Sequence, residues 1–95
     1  MIVYISGPIS SDPYFREHFA KTERYLRDMG FSVVNPVTEG LAGNGVTYKE
    51  FIDDDLKLLS ECEGIFMMKG WQRSNGARLE HQYAKTTGMW IRYQG

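Results

Sequence analysis

Two acidic residues, Asp55 and Glu80, occupy positions where a charged side chain is unfavourable unless it is used. Asp55 is four residues from both Phe51 and Leu59, which places it on the inward face of a predicted helix. Glu80 lies one helical turn after Gly76, on a helix face whose other residues are small or apolar. An inward carboxylate is costly unless it is paired, hydrogen-bonded or used in chemistry. Both residues are therefore candidates for a functional site.

A simpler interpretation competes at each position. Asp55 could belong to a solvated acidic run with Asp53 and Asp54. Glu80 could be a solvated helix residue if the face assignment is wrong by one position. Either alternative would remove the reason to expect chemistry there.

The loop at residues 69–76, directly before Glu80, is a candidate anion site. It follows a buried strand and opens a helix that Ser74 or Asn75 can cap. Free backbone N–H groups and the positive end of the helix dipole attract anions at such a point. Lys69, Arg73 and Arg78 would add positive charge, although Ser74 could serve only as a cap and the three basic residues only as ordinary surface.

Apolar runs, helical spacings and turn residues predict four strands alternating with three helices. The predicted strands are residues 2–5, 31–34, 64–68 and 89–93. The predicted helices begin at Asp12-Pro13, at the capping pair Thr47 and Glu50, and at Ser74, and they end near Gly30, Cys62 and Thr87. The first helix turns Phe15, Phe19, Thr22, Leu26 and Met29 inward, and residues 37–46 form a loop.

This alternation predicts an α/β fold, a small flavodoxin-like three-layer sandwich with a parallel four-stranded sheet in the order 2-1-3-4. In such sheets ligands bind beyond the carboxyl ends of the strands, between strands 1 and 3. The turn Ser6-Gly7-Pro8 and the loop at 69–76 both lie at that place. A single domain spanning residues 1–95 accounts for the whole pattern.

Composition narrows the function classes. The formal net charge of −1 gives no support for binding to polymeric nucleic acid or to a membrane surface. No apolar run approaches the ~20 residues that span a bilayer. Residues 1–7 do not resemble a secretion signal. The single cysteine, Cys62, fits a cytoplasmic location. His18 and His81 lack metal-ligand spacing, so neither a metal nor a cofactor is expected. Cys62 lies on an apolar helix face and is expected to be buried and inert.

Three segments carry a resemblance to a known family. The chain resembles the nucleoside 2-deoxyribosyltransferase superfamily, which includes the 2'-deoxynucleoside 5'-phosphate N-hydrolases, and is closest to its short phage and bacterial members. The similar segments are Tyr4-Ile5-Ser6-Gly7-Pro8-Ile9, then Asp55-Leu56 with Cys62-Glu63, and most specifically Ser74-Asn75-Gly76-Ala77-Arg78-Leu79-Glu80. Glu63 stands where the family usually has Asp, and the chain lacks the family's fifth strand and helix.

The resemblance implies an enzyme that cleaves or transfers the N-glycosidic bond of a deoxynucleoside or its 5'-monophosphate. Glu80 would be the nucleophile at C1' and would form a covalent glycosyl-enzyme. Asp55 would protonate the departing base, and Tyr4 would orient Glu80. Without the resemblance, Tyr4 could simply be a core residue. The residues expected to bind the substrate are Ser6, Gly7, Pro8, Ile9, Ser10, Trp71, Ser74 and Gly76.

Ser74 also bears on the choice of substrate within the family. The base-exchanging transferases typically carry Asp there, whereas the phosphate-dependent hydrolases carry Ser, which does not repel a phosphate. Ser74 therefore favours a 5'-monophosphate, with water as acceptor. Neighbouring subunits complete the site in the family, so a homodimer or higher homo-oligomer is expected, with Trp71, Trp90 or the Tyr-rich first helix as possible contacts. The alternative function is an inactive nucleotide-binding module, a sensor or sponge.

Overall fold

A four-stranded parallel sheet forms the centre of the molecule. The computed structural model describes the backbone of residues 1–39 and 48–95 and the side chains of residues 1–39 and 54–95. The strands are β1 (Ile2–Ser6), β2 (Ser32–Val34), β3 (Gly64–Met67) and β4 (Trp90–Tyr93). Their order is β2-β1-β3-β4, all parallel, which confirms the predicted α/β class and strand order. Each strand also begins and ends within one residue of its predicted bounds.

Two helical layers cover the sheet. The helices are α1 (Phe15–Asp28), α2 (Pro36–Glu39), α3 (Tyr48–Ser60) and α4 (Asn75–Thr87). Side chains alternate along β1, so Val3 and Ile5 pack with α1 on one face while Tyr4 packs with α3 and α4 on the other. This gives the flavodoxin-like three-layer sandwich that the alternation of elements predicted.

Helix α2 was not predicted, since its residues were assigned to the start of a loop. Asn35 explains why it forms: its side-chain oxygen accepts a hydrogen bond from the N–H of Val37 at 3.0 Å, and its carbonyl accepts from Thr38 and Glu39. Pro36 then takes the first helical position, where a missing N–H costs nothing. The rest of that predicted loop and Thr47 of the predicted capping pair lie outside the described residues.

Helix α1 begins later than predicted. The helix starts at Phe15, and Asp12 instead accepts a hydrogen bond from the N–H of Tyr14 at 2.9 Å within the preceding turn. Its other carboxylate oxygen lies 2.6 Å from Nδ1 of His18. At the other end, Met29 is exposed rather than inward, because the helix already ends at Asp28 and Gly30 (φ 95°) turns the chain away. Within the described ranges, each helix is too short or too polar to cross a bilayer.

Candidate active site

Strand β1 directs two hydroxyl groups towards helix α4. Tyr4 and Ser6 are two positions apart, so both side chains leave the sheet on the face that α3 and α4 cover. Both are almost fully buried. Because a buried hydroxyl without a partner is unfavourable, this face requires an acceptor from the helical layer.

Glu80 supplies that acceptor. The Tyr4 hydroxyl donates to Oε2 of Glu80 at 2.5 Å, and the Ser6 hydroxyl donates to Oε1 at 2.6 Å. Glu80 is 4% exposed, so the inward position expected from helical spacing is confirmed and the solvated alternative is wrong. Short hydrogen bonds to both oxygens fix the plane of the carboxylate, as a nucleophile with one direction of attack requires.

Asp55 of α3 lies beside this arrangement and is 2% exposed. The inward position expected from its helical spacing is therefore also confirmed. Its Oδ1 atom is buried without a hydrogen-bond partner. A buried acceptor without a partner is unfavourable and requires an explanation, and a role in proton transfer is one explanation.

Burial and mutual proximity raise the pKa values of both carboxyl groups. The pKa of Asp55 is raised by burial first and by the negative charge of Glu80 second. The pKa of Glu80 is also raised by burial, but hydrogen bonds from Ser6 and Tyr4 oppose that rise by stabilising its ionised form. The pair therefore favours a protonated Asp55 beside an ionised Glu80. Burial and the charge of Glu80 also hold the pKa of Tyr4 well above its usual value, so Tyr4 remains a donor.

The turn after β1 is held against the end of β3. A Cβ atom on Gly7 would lie 2.8 Å from Cβ of Met68, so only glycine permits this approach without a shift. Among the residues expected to bind substrate here, Gly7 and Pro8 are buried, Ile9 is half-buried and Ser10 is exposed. The Ser6 hydroxyl, expected at the 5' end of a sugar, is instead engaged by Glu80.

Helix α4 begins at the predicted cap. The Ser74 hydroxyl accepts a hydrogen bond from the N–H of Ala77 at 3.2 Å, which satisfies one unpaired donor of the first turn. Gly76 is half-buried in the same turn. Gly88 (φ 73°) ends the helix in a left-handed conformation.

The basic residues expected around Ser74 separate. The guanidinium of Arg78 folds back onto Asn75 and the carbonyl of Gln72, within its own helix and the preceding turn. Lys69 and Arg73 instead line a cleft of about 420 Å³ on the α1 side of the sheet edge. We call this the basic cleft, and define it by His18, Lys21, Thr22, Lys69, Arg73 and Gln94.

Trp71 opens the short 3₁₀ turn before α4 and joins an aromatic cluster. Its ring lies 4.3 Å from the ring of His81, whose Nε2 is 2.7 Å from the Tyr93 hydroxyl. Half-buried, Trp71 also packs against the apolar cluster that contains Tyr4. It therefore combines a core contact with one accessible edge near the carboxyl ends of β3 and β4.

Two residues around β3 have structural roles. Glu63 stands where the resembled family usually has Asp. Its carboxylate oxygen accepts a hydrogen bond from the N–H of Ile2 at 2.9 Å, which connects β1 to the segment before β3. Cys62 is half-buried rather than buried as predicted, and burial raises the pKa of its thiol to about 11, which disfavours the thiolate at neutral pH.

Sequence reasoning missed two features of the site. It did not connect the Ser6 hydroxyl with Glu80, and it did not bring Lys21 and His18 to the same cleft as Lys69 and Arg73. Both depend on how distant segments align, and the only available signal was the shared inward direction of Tyr4 and Ser6. In the part of the chain that the structure describes, no group of three or more His, Cys, Asp or Glu side chains could hold a metal ion.

Comparison with curated proteins gives no match. A family described as a domain of unknown function, DUF4406, matches residues 1–93. That match includes β1, α3 and α4, the three elements that supply Tyr4, Ser6, Asp55 and Glu80. The chain therefore belongs to the DUF4406 family.

Proposed function

We propose that this protein cleaves the N-glycosidic bond of a 2'-deoxynucleoside 5'-monophosphate, or of the free deoxynucleoside, through a covalent glycosyl-enzyme on Glu80. The observation that carries the proposal is the buried Glu80 carboxylate, held by Tyr4 at 2.5 Å and Ser6 at 2.6 Å beside a second buried carboxyl group, Asp55. Two carboxyl groups of unequal proton affinity are what retaining glycoside chemistry requires.

In the first step an oxygen of Glu80 attacks C1' of the deoxyribose. The bond between C1' and the base nitrogen breaks, and its electron pair leaves with the base. Asp55 gives its proton to the departing base, which leaves as a neutral molecule. The hydrogen bonds from Tyr4 and Ser6 orient Glu80 for this attack.

In the second step water attacks C1' and displaces Glu80. The ionised Asp55 accepts a proton from that water, which restores both groups to their starting states. A second base in place of water would give transfer instead of hydrolysis. Position 74 carries a serine and not an aspartate, so no negative charge there would repel a phosphate. This favours the phosphorylated substrate and, with it, hydrolysis.

The pKa shifts fit these roles. A general acid must hold its proton near neutral pH, and burial together with the charge of Glu80 raises the pKa of Asp55 in that direction. A nucleophile must be ionised, and the hydrogen bonds from Ser6 and Tyr4 lower the pKa of Glu80 against the effect of burial. We further propose a cytoplasmic homodimer, with a small-molecule nucleotide as its partner and neither metal nor cofactor in the reaction.

The proposal is tested by screening for release of the free base. The purified protein is incubated with each deoxynucleoside and each deoxynucleoside 5'-monophosphate, with and without an acceptor base, and the products are separated by chromatography. Release from a monophosphate without acceptor supports the hydrolase, and exchange only with acceptor supports a transferase. No turnover on any substrate, with binding still detected by thermal shift, would replace the enzyme by a nucleotide-binding module.

The role of Glu80 is tested by Glu80→Gln. Loss of the nucleophile should lower turnover by at least about a thousandfold, with ligand affinity nearly unchanged. Glu61→Gln, at an exposed position, is the matched control and should keep full activity. Full activity of Glu80→Gln would rule out Glu80 as the nucleophile.

A further inference from the structure

The basic cleft lies apart from the buried carboxyl groups. Met68 lines it and belongs to the apolar cluster on the α1 face, whereas Glu80 and Tyr4 lie on the opposite face. The close contact between Gly7 and Met68 joins β1 to β3 at the edge between them. The cleft therefore requires its own explanation.

Positive charge in the basic cleft comes from separate parts of the chain. Lys21 is on α1, Lys69 follows β3, and Arg73 ends the 3₁₀ turn. Their presence around one cleft is not a result of overall charge, because the chain carries a formal net charge of −1. Cations that share a cleft repel one another unless an anion lies between them.

The acidic side chain that lines the cleft is already engaged. Asp12 also lines the cleft, but one of its oxygens accepts the N–H of Tyr14 and the other lies 2.6 Å from Nδ1 of His18. Among the described side chains, Lys21, Lys69 and Arg73 form no ion pair. Their charges are therefore available to an incoming ligand.

The loop geometry directs Arg73 into this region. Gly70 has φ 85°, and a Cβ atom there would lie 3.2 Å from Nη2 of Arg73 and 3.6 Å from Cγ of Pro8. The guanidinium and the ring of Pro8 therefore both lie close to Gly70. Gln94 holds the loop in place, because its side-chain oxygen accepts the N–H of Lys69 at 2.7 Å. The amide nitrogen of Gln94 adds a neutral donor to the charged ones.

We propose that the basic cleft binds a phosphorylated small molecule through its phosphoryl group. A guanidinium and two ammonium groups are donors suited to phosphate oxygens. A volume of about 420 Å³ falls within the range of small-molecule sites and leaves room for an organic part beside the phosphate. The phosphate belongs either to the molecule that reaches Glu80 or to a separate ligand. Binding itself does not depend on the proposed function.

The test measures binding of inorganic phosphate and pyrophosphate at low ionic strength, by amide chemical shifts of the ¹⁵N-labelled protein. Saturable shifts at Lys69, Arg73 and Gln94 are expected. The double variant Lys21→Gln/Arg73→Gln should weaken pyrophosphate binding by about tenfold or more, because it removes two charged hydrogen-bond donors from the cleft. Both residues are exposed, so the variant should fold.

The matched control is Arg24→Gln/Lys85→Gln, which removes the same charge from exposed helix positions away from the cleft. It should bind pyrophosphate as the unmodified protein does. Equal weakening in both double variants would show attraction by net charge alone and would overturn the proposal. Shifts that avoid the cleft residues would overturn it as well.

A competition experiment on Glu80→Gln identifies the source of the phosphate. If the cleft holds the phosphate of the molecule that reaches Glu80, pyrophosphate should displace a deoxynucleoside 5'-monophosphate but not the deoxynucleoside. If the ligand is separate, pyrophosphate and the monophosphate should bind together. Failure of the nucleotides to bind at all would count against the proposed function and leave the pyrophosphate result standing.

Discussion

Burial of the Asp55 carboxyl group links the chemistry of the site to the stability of the protein. Its native pKa lies above that of the unfolded chain, because burial and the charge of Glu80 both disfavour ionisation. The native state therefore holds a proton that the unfolded chain releases. The corresponding contribution to stability is complete below the unfolded-state pKa of about 3.9 and is lost as the pH rises through the raised native value.

Asp55→Asn should therefore stabilise the protein at pH 8 while leaving its stability near pH 4 almost unchanged. The gain in the free energy of unfolding should be on the order of 1–2 kcal/mol, since one unit of pKa corresponds to ~1.4 kcal/mol. Thermal unfolding at both pH values measures it, with the exposed Asp28→Asn as control. An equal effect at the two pH values would show that ionisation of Asp55 is not responsible.

At this scale helical spacing located both carboxyl groups, and the family resemblance named Tyr4 as a partner of Glu80, but neither gave the bond from Ser6. Helical spacing was sufficient to place Asp55 and Glu80 on inward faces, because the period of a helix fixes which positions share a side. The bond from Ser6 to Glu80 spans 74 residues and depends on how β1 and α4 align, which no local pattern encodes. The unpartnered Oδ1 of Asp55 is likewise visible only after packing.

The start of helix α4 combines a structural cap with a choice between substrates. Ser74→Ala should lower the free energy of unfolding by about 1 kcal/mol because the bond to Ala77 is lost, whereas Ser74→Asp should retain the cap. Under the proposed function, Ser74→Asp should nevertheless weaken binding of a 5'-monophosphate more than binding of the nucleoside, by charge repulsion.

Chemical denaturation and parallel binding titrations with the two ligands measure these effects. Thr86→Ala, near the exposed end of the same helix, is a control for loss of a hydroxyl group elsewhere. Equal weakening of nucleoside and monophosphate by Ser74→Asp would remove the reason for preferring the phosphorylated substrate.

The ends of helices could be predicted where a single residue determines the turn. The prediction was wrong where two signals competed. Gly30, Ser74 and Gly88 mark helix ends as predicted. Asp12-Pro13 resembled a helix start, but the Asp12 carboxylate accepts the N–H of Tyr14 in the turn before α1 and contacts His18 within the helix. The cap formed by Asn35 was read as the end of β2 alone, because a helix of four residues leaves almost no periodic signal.

Strand order could be predicted for the whole molecule because parallel strands with helical crossovers allow few arrangements. The contacts of long basic side chains could not be predicted, because Lys and Arg side chains reach groups several residues away from their own backbone. Arg78 and Arg73 are five positions apart, yet one folds onto α4 and the other enters the basic cleft.

Oligomeric state is the remaining property of the whole molecule that the resemblance predicts. The aromatic side chains of Tyr14, Tyr25 and Tyr93 are half or more exposed, and such residues are typical of interfaces. Light scattering after size-exclusion chromatography should give twice the monomer mass across a range of concentrations. A monomer mass throughout would contradict the proposed homodimer.

The hydrogen bond between Tyr4 and Glu80 joins residues separated by 76 positions, nearly the full length of the chain. Helices of this size can form within about a microsecond, but contacts between distant segments wait until the chain has closed long loops. The contact between β1 and α4 is therefore expected to form after α4 itself. During refolding, helical signal should return before the paired carboxyl groups exist, so that the protein regains its shape in outline before it regains any capacity for chemistry.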